Sequence, residues 1–354
     1  MFLATKELKY SKTKFALIIS VIVLISYLVY FLTSLAYGLA SSYTNAVEKW
    51  NADEIIMTVD SNDSMMMSFM DQIDFDGIIT NDSKAKLGLF PAVINNPLAE
   101  NILDSRMDVY FFGVENGSFI LPSDNLSLSG NKVIVDEELI KEGYGIGDFF
   151  GVSGSTEKYE IIGFSTKSTY QTAPVIYMEL KTWQAHRYGK TNTPDLYSGV
   201  IVKGETNVLD ESLLSYTTKD YISTLPGYTA QVLTFSTMII FLIIIVAFVL
   251  GIFIYVLTIQ KTSMFGVMKA QGISNAYIAG SVIMQTFILV IIGIVLGLTL
   301  TVITGIFLGD VIPFAINYLF YIIIAGAFFL FALFGAMFSV RAVLKIDPLR
   351  AIGG

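Results

Sequence analysis

The sequence predicts a membrane protein with four transmembrane α-helices and a large α/β extracellular domain inserted between helices 1 and 2. Three observations carry this prediction. Residues 15–47, 221–260, 270–309 and 311–340 contain no Asp, Glu, Lys or Arg. The 354 residues are 54% hydrophobic and only 15% charged, whereas soluble domains carry about 25% charge. The remaining charges are sorted by sign: residues 41–230 hold 27 of the 30 acids, while segments 1–14, 261–269 and 341–354 hold 9 basic residues against 2 acids.

A charge at the bilayer centre costs about 2.5–3.5 kcal/mol on insertion scales, so charge-free runs locate the spans. Each run exceeds the roughly 20 apolar residues needed to cross hydrocarbon. The expected organisation is a cytoplasmic amphipathic helix at 1–14 and spans at 15–40, 233–258, 278–308 and 319–341, with the extracellular domain and its helical stalks at 41–232. A cytoplasmic coupling helix and loop at 259–277, a short extracellular loop at 309–318 and a cytoplasmic tail at 342–354 complete it. The first apolar run is about twice the length of a leader's apolar region and reads as a span.

Orientation follows from the basic residues. Lys6, Lys9, Lys12 and Lys14 precede the first span, Lys261 and Lys269 lie between spans two and three, and Arg341, Lys345 and Arg350 follow the fourth. The positive-inside bias puts these segments and both termini in the cytoplasm. Leu3 and Tyr10 on one face of the first helix, with lysines on another, suit a helix resting on anionic lipid.

Composition also excludes several function classes. There is no cysteine, hence no disulfide framework or thiolate metal site, and the single histidine, His186, excludes multi-histidine centres. No G-x-x-x-x-G-K-[S/T] occurs, so the chain does not bind ATP through a P-loop. A net charge of −8 argues against nucleic acid as a partner. His186 reads as a surface residue, and no paired carboxylates or nucleophile motif mark a catalytic centre.

Within the inserted segment, residues 41–75 read as a helical extension of span one that runs into a strand at 54–59. Met65, Met66, Met67 and Met70 read as adaptable contact fillers, with haem or copper ligation as the alternative. Strands are expected at 132–135, 148–152, 159–164 and 174–178, helices at 136–142 and from Thr182 onward. Sequons begin at Asn62, Asn81, Asn116 and Asn125. Span three carries two G-x-x-x-G patterns, Gly293 to Gly297 and Gly305 to Gly309, which permit close helix packing within the chain or between copies.

The loop 260–272, QKTSMFGVMKAQG, ends at Gly272, a helix stop. Lys261 and Lys269 are two turns apart and leave Met264, Phe265 and Met268 as exposed apolar knobs. Knobs and lysines on a short inner helix fit either a cytoplasmic partner's pocket or the lipid interface.

One span, a large outer domain, three spans and this loop resemble the FtsX/MacB-type permeases of ABC transporters. Lys269-Ala-Gln-Gly272 matches the family's K-A-x-G, and Pro348-Leu-Arg-Ala-Ile352 resembles its tail. Thr262 departs from the pattern, standing where the family often has an acid. The resemblance assigns ATPase coupling to Lys261, Met264, Phe265, Gly266, Lys269 and Gly272. It implies a homodimer in the plasma membrane and a separate cytoplasmic ABC ATPase subunit that binds the ATP, so the permease is not itself an enzyme. Residues 2–15 and 31–39 resemble the haem-exporter branch, whose ATPase is of the HrtA type and whose sources are Gram-positive. Haem is then the substrate, expelled from the outer leaflet by mechanical transmission, and the chain has no cofactor of its own. The other readings are a MacB-like peptide or lipoprotein exporter and an FtsX-like regulator of a cell-wall hydrolase.

Haem is a flat amphipathic dianion that needs apolar walls, an axial ligand and polar groups for its propionates. Without cysteine, the ligand choices narrow to Tyr, Met or Glu. Tyr37, Thr44 and Glu48 share one face at the outer end of span one, and Tyr228, Phe235 and Met238 open span two. The expected haem-iron ligands are therefore Glu48 and Met238, with Tyr43, Trp50 and Phe235 as walls and Lys167 and Tyr170 contributing from the outer domain.

Overall fold

The computed structural model describes residues 12–96, 101, 103, 105–123, 125–208, 210–309 and 311–344. Most of the amphipathic helix expected at 1–14 and the tail motif at 348–352 lie outside the described residues. The chain divides into a membrane unit, residues 1–38 and 232–354, and an inserted unit, residues 39–231.

Four helices are long and apolar enough to cross a bilayer. They are α1 (Lys12–Lys49), α6 (Tyr228–Ile259), α8 (Asn275–Leu308) and α9 (Tyr318–Leu344). Apolar burial adds little between helices in lipid, so close packing decides their contacts. Gly297 lies against α1: a Cβ there would sit 2.6 Å from Ser26 Cβ and 2.9 Å from the Tyr27 nitrogen. Gly293 meets Ile22 in the same way, and Gly305 receives the Phe314 ring. Gly293, Gly297 and Gly305 therefore serve packing within the chain, while Gly309 meets only the Gly305 carbonyl of its own helix. Gly335 gives the same closeness to α9 and α6, since a Cβ on it would sit 2.9 Å from Gly251 Cα. Most hydroxyls inside this unit are satisfied within a helix or between helices: Thr33 donates to the Val29 carbonyl at 2.7 Å, and Tyr27 of α1 pairs with Thr304 of α8 at 3.2 Å.

In the inserted unit α1 ends at Lys49, and the strand expected at 54–59 follows it. There follow β1 (Glu54–Thr58), α2 (Gln72–Gly77), β2 (Ile78–Thr80), β3 (Lys84–Asn95), β4 (Met107–Val114), β5 (Lys132–Asp136) and α3 (Glu138–Lys141). Then come β6 (Phe149–Val152), β7 (Lys158–Ser165), β8 (Thr169–Tyr170), β9 (Ala173–Glu179) and α4 (Leu180–Tyr188). The last are β10 (Gly199–Val202), β11 (Thr206–Val208), β12 (Leu213–Thr217) and α5 (Thr218–Thr224).

The large sheet runs β12-β1-β10-β3-β4-β9-β5-β7-β6 and closes on itself, because β6 also pairs β3 through Ile94–Val152 and Asn95–Gly151. Closure removes free edges from this six-stranded ring, and β10, β1 and β12 extend it from the first half of β3. Strand side chains alternate between faces. Val109 and Phe111 of β4, Val133 and Val135 of β5, and Ile176 and Met178 of β9 enter one core, with Trp183 of α4. Phe112, Ile134, Val175 and Tyr177 enter a second core, with Ala46, Val47 and Trp50 from the end of α1. Burial on both faces is why these strands read as continuous apolar runs. Trp183 packs flat on strand glycines: a Cβ on Gly113 would lie 2.6 Å from its Cγ.

Two sequence expectations change here. His186 is not a plain surface residue: its ring sits against Phe111, Phe90 and Tyr159, at centroid distances of 5.2, 6.1 and 6.2 Å. Of the methionines, Met65 and Met70 are core residues while Met67 stays 62% exposed.

Candidate functional site

Two places carry the residues singled out by sequence: the loop between α6 and α8, and the far end of α1. The loop forms α7 (Thr262–Ala270). It is terminated by Gly272 at φ +85°, a left-handed conformation that suits glycine, whose N–H donates to the Lys269 carbonyl at 2.9 Å. Ser274 then caps α8, its Oγ accepting from the Tyr277 N–H at 3.3 Å.

The expected exposed knobs are corrected by this packing. Phe265 is 2% exposed and lies with Ile278 and Val282, while Met264, Met268, Ile273 and Val340 pack around it half-buried. Met264, Phe265 and Met268 share the face turned to the membrane unit. Gly266 is buried as well. The free stripe is instead Ser263, Val267 and Ala270, spaced i, i+4, i+7. With apolar residues on both sides of a nine-residue helix, sequence alone did not reveal which side would be covered.

Lys261, at the junction of α6 and α7, reaches two other helices. Its Nζ donates to Gln285 Oε1 of α8 at 2.9 Å and stands 5.2 Å from the centre of the Phe15 ring of α1. Thr258, Lys261, Gln285 and Thr286 line a small cavity here with Ile254 and Leu289. Gln285 is buried, and its Nε2 finds no partner among the described residues. Gln285 was missed at the sequence level, although a glutamine deep in an apolar span is itself a signal.

At the far end of α1, Glu48 is exposed and accepts from Thr44 Oγ1 at 2.8 Å. The Tyr43 ring faces Tyr228 at 6.0 Å. Trp50 and Tyr170, expected as wall and contributor of a haem site, are each 2% exposed. Trp50 packs on Phe112 at 5.9 Å, and Tyr170 shares a 2.7 Å hydrogen bond with Tyr221. Both belong to the core of the inserted unit, so neither presents a surface to a ligand. Lys167 is exposed, with its N–H donating to Glu137 Oε1 at 3.1 Å. On α6, Met238 is 44% exposed and Phe235 half-buried, one turn apart. Among the described residues, no group of three His, Asp or Glu could hold a metal ion.

Comparison with known proteins gives a consistent result. Residues 236–348 match the FtsX-like permease C-terminal domain. Over its full length the chain is 28% identical to proteins from two Staphylococcus epidermidis strains that bear the name hemin transport system permease protein HrtB, spanning 99% of each. A protein of that name from Staphylococcus haemolyticus is 26% identical, again over 99% of its length. A crystal structure of the periplasmic region of MacB from Actinobacillus actinomycetemcomitans aligns with TM-score 0.34 and 9% identity, covering 49% of this chain and 92% of that one. The membrane helices α6, α8 and α9 thus lie inside a segment that matches the FtsX-like permease domain, and the whole chain is similar to permeases named HrtB.

Proposed function

We propose that this permease exports haem from the outer leaflet of a Gram-positive plasma membrane, as a homodimer driven by a separate cytoplasmic ATPase of the HrtA type. The observation that carries this reading is the similarity to HrtB permeases along the whole chain, inserted domain included. Hemin transport is part of the name those proteins bear, and their alignment covers the full length of this chain. Both termini and α7 face the cytoplasm by the distribution of Lys and Arg, and the inserted domain is extracellular. The exposed stripe Ser263–Val267–Ala270 meets the ATPase, while Phe265 and Lys261 tie α7 to the membrane helices. ATP is bound by the partner.

Glu48 and Met238 are proposed as separate candidates for the iron ligand, each exposed and of a chemistry that haem accepts. Tyr43, Phe235 and Lys167 remain the supporting groups; Trp50 and Tyr170 do not, being core residues. Haemin titration of the purified chain, followed by Soret absorbance, tests the reading. A saturable shift near one haem per dimer is expected, with affinity reduced at least tenfold in Glu48→Ala or Met238→Ala. Uptake that never saturates and ignores both substitutions is detergent partitioning and removes haem from the reading.

A further inference from the structure

One short segment, residues 165–173, grips the last turns of α1. Lys49 Nζ donates to Ser165 Oγ at 2.5 Å, to the Thr166 carbonyl at 2.8 Å and to Ser168 Oγ at 3.1 Å. One turn earlier, Asn45 Nδ2 donates to Thr169 Oγ1 at 3.0 Å. Earlier still, the carbonyls of Tyr43 and Ser42 accept from the N–H groups of Gln171 and Thr172, both at 3.1 Å. These attachment points follow one face of the helix. The two carbonyls lie inside the helix range, and each has a second lone pair available to accept from outside it.

The other side of the segment is bonded into the closed sheet. The Ser168 N–H donates to Asp136 Oδ2 at 2.5 Å and the Glu137 N–H to the Ser165 carbonyl at 2.9 Å. Asp136 also accepts from the Glu138 N–H at 2.9 Å and is 1% exposed. The Val175 N–H donates to the Ser168 carbonyl at 2.8 Å. A single layer of chain therefore joins α1 to β5, β7 and β9.

Backbone conformation marks the same segment. Lys167, Gln171 and Thr172 adopt φ of +48°, +48° and +69°. A β-branched residue in this region is an outlier that surrounding structure must enforce. At Gln171 and Thr172 the turn delivers two N–H groups to the helix.

We propose that segment 165–173 is a clamp through which movement of α1 is passed to the closed sheet, with Lys49 as its pin and Ser165, Ser168 and Asp136 as the socket. The proposal rests on the reading of this chain as an ATP-driven permease. The apolar contacts of Ala46, Val47 and Trp50 are non-directional and permit sliding. Hydrogen bonds at 42, 43, 45 and 49 instead fix the axial register of the helix. All three hydrogen-bond acceptors of Lys49 are neutral oxygens, and the charges of Asp136 and Glu137 attract it from beyond hydrogen-bond contact. Lys49 is a positioning residue, and no role in touching substrate is assigned to it.

The test uses the full chain with its ATPase in lipid nanodiscs, comparing wild type with Lys49→Met and Lys49→Arg. Backbone hydrogen exchange is followed with and without ATP, a readout that needs no substrate. Lys49→Met is expected to speed exchange at 42–49 and 165–173 about tenfold or more. The remaining strands should stay protected and ATP hydrolysis should continue, but the ATP-dependent change in the closed sheet should disappear. Lys49→Arg should restore it, which a general loss of folding would not allow. If Lys49→Met does not assemble, Asn45→Ala removes the middle attachment and is read identically. Unchanged exchange at the two segments overturns the clamp. So does an ATP-dependent change that persists in full when they loosen, or is missing from wild type. Haemin titration is independent of every arm, so loss of haem as substrate would leave this test intact.

Discussion

His186 shows how one residue links burial to behaviour in solution. It lies one turn beyond Trp183 on α4, ringed by aromatic side chains, with Nδ1 3.3 Å from Tyr159 Oη. Tyr159 in turn donates to Glu157 Oε2 at 3.0 Å, and Glu157 is paired with Lys190. Burial holds the imidazole below its ordinary range, with the Glu157 charge opposing it weakly. The unfolded chain therefore takes up this proton first as pH falls below about 6.5, and stability drops with acidification until the folded imidazole also titrates. The limiting slope is about 1.4 kcal/mol per pH unit. Asp136 and Glu138, raised by burial, act with the opposite sign above the ordinary carboxylate range. Glu157, lowered chiefly by its hydrogen bond from Lys190, loses its contribution at lower pH. The difference between wild type and His186→Gln isolates the histidine: thermal midpoints measured from about pH 7 to 5 should converge as pH falls. Parallel curves would mean that the ring titrates normally.

At the scale of elements, α7 separates two roles that its sequence mixes. Phe265→Ala removes a buried ring and should destabilise the membrane unit by about 3–5 kcal/mol, lowering the thermal midpoint in detergent. Val267→Asp places a charge on the exposed stripe; the midpoint should hold while copurification of the ATPase falls at least tenfold. The reverse pattern would turn the helix over. Spans were legible in the sequence because the absence of charge is decisive in lipid. Strands β5, β6, β7 and β9 were legible from short apolar runs between turn residues. Strands β3, β4, β10 and β12 were not. Pro91, Lys84, Lys86 and Gly88 obscure β3, and Gly113 interrupts β4, although the first is the strand on which the sheet closes. Two of its three partners, β6 and β10, lie far away in the chain, so no local pattern announces them. At the far end of α1 the residue types were legible, but periodicity did not separate Glu48, which is exposed, from Trp50, which enters the core two positions later.

For the whole molecule, the membrane unit poses a question of assembly. α6 is the least covered of the four spans, with 17% of its apolar window buried against 33–39% for the others. Val246, Leu250, Ile254 and Thr258 form its one buried stripe. Phe241, Ile245, Phe248 and Ile252 form an exposed stripe on the other side, 53–68% accessible, at the spacing of a helix–helix seam. Gly293, Gly297 and Gly305 of α8 are already occupied by Ile22, Ser26 and Phe314, so α8 has spent most of its closest-approach surface within the chain. The proposed homodimer is therefore expected to form through α6. The chain has no cysteine, so a single introduced thiol reports proximity without background. Phe248→Cys should give an oxidant-dependent dimer in native membranes, while Val295→Cys, comparably exposed on α8, should remain monomeric on denaturing gels. Both positions lie well inside their spans, so unequal access of the oxidant does not explain a difference. Cross-linking at residue 295 without any at 248 would assign the interface to α8 and leave the Phe241–Ile252 stripe to lipid.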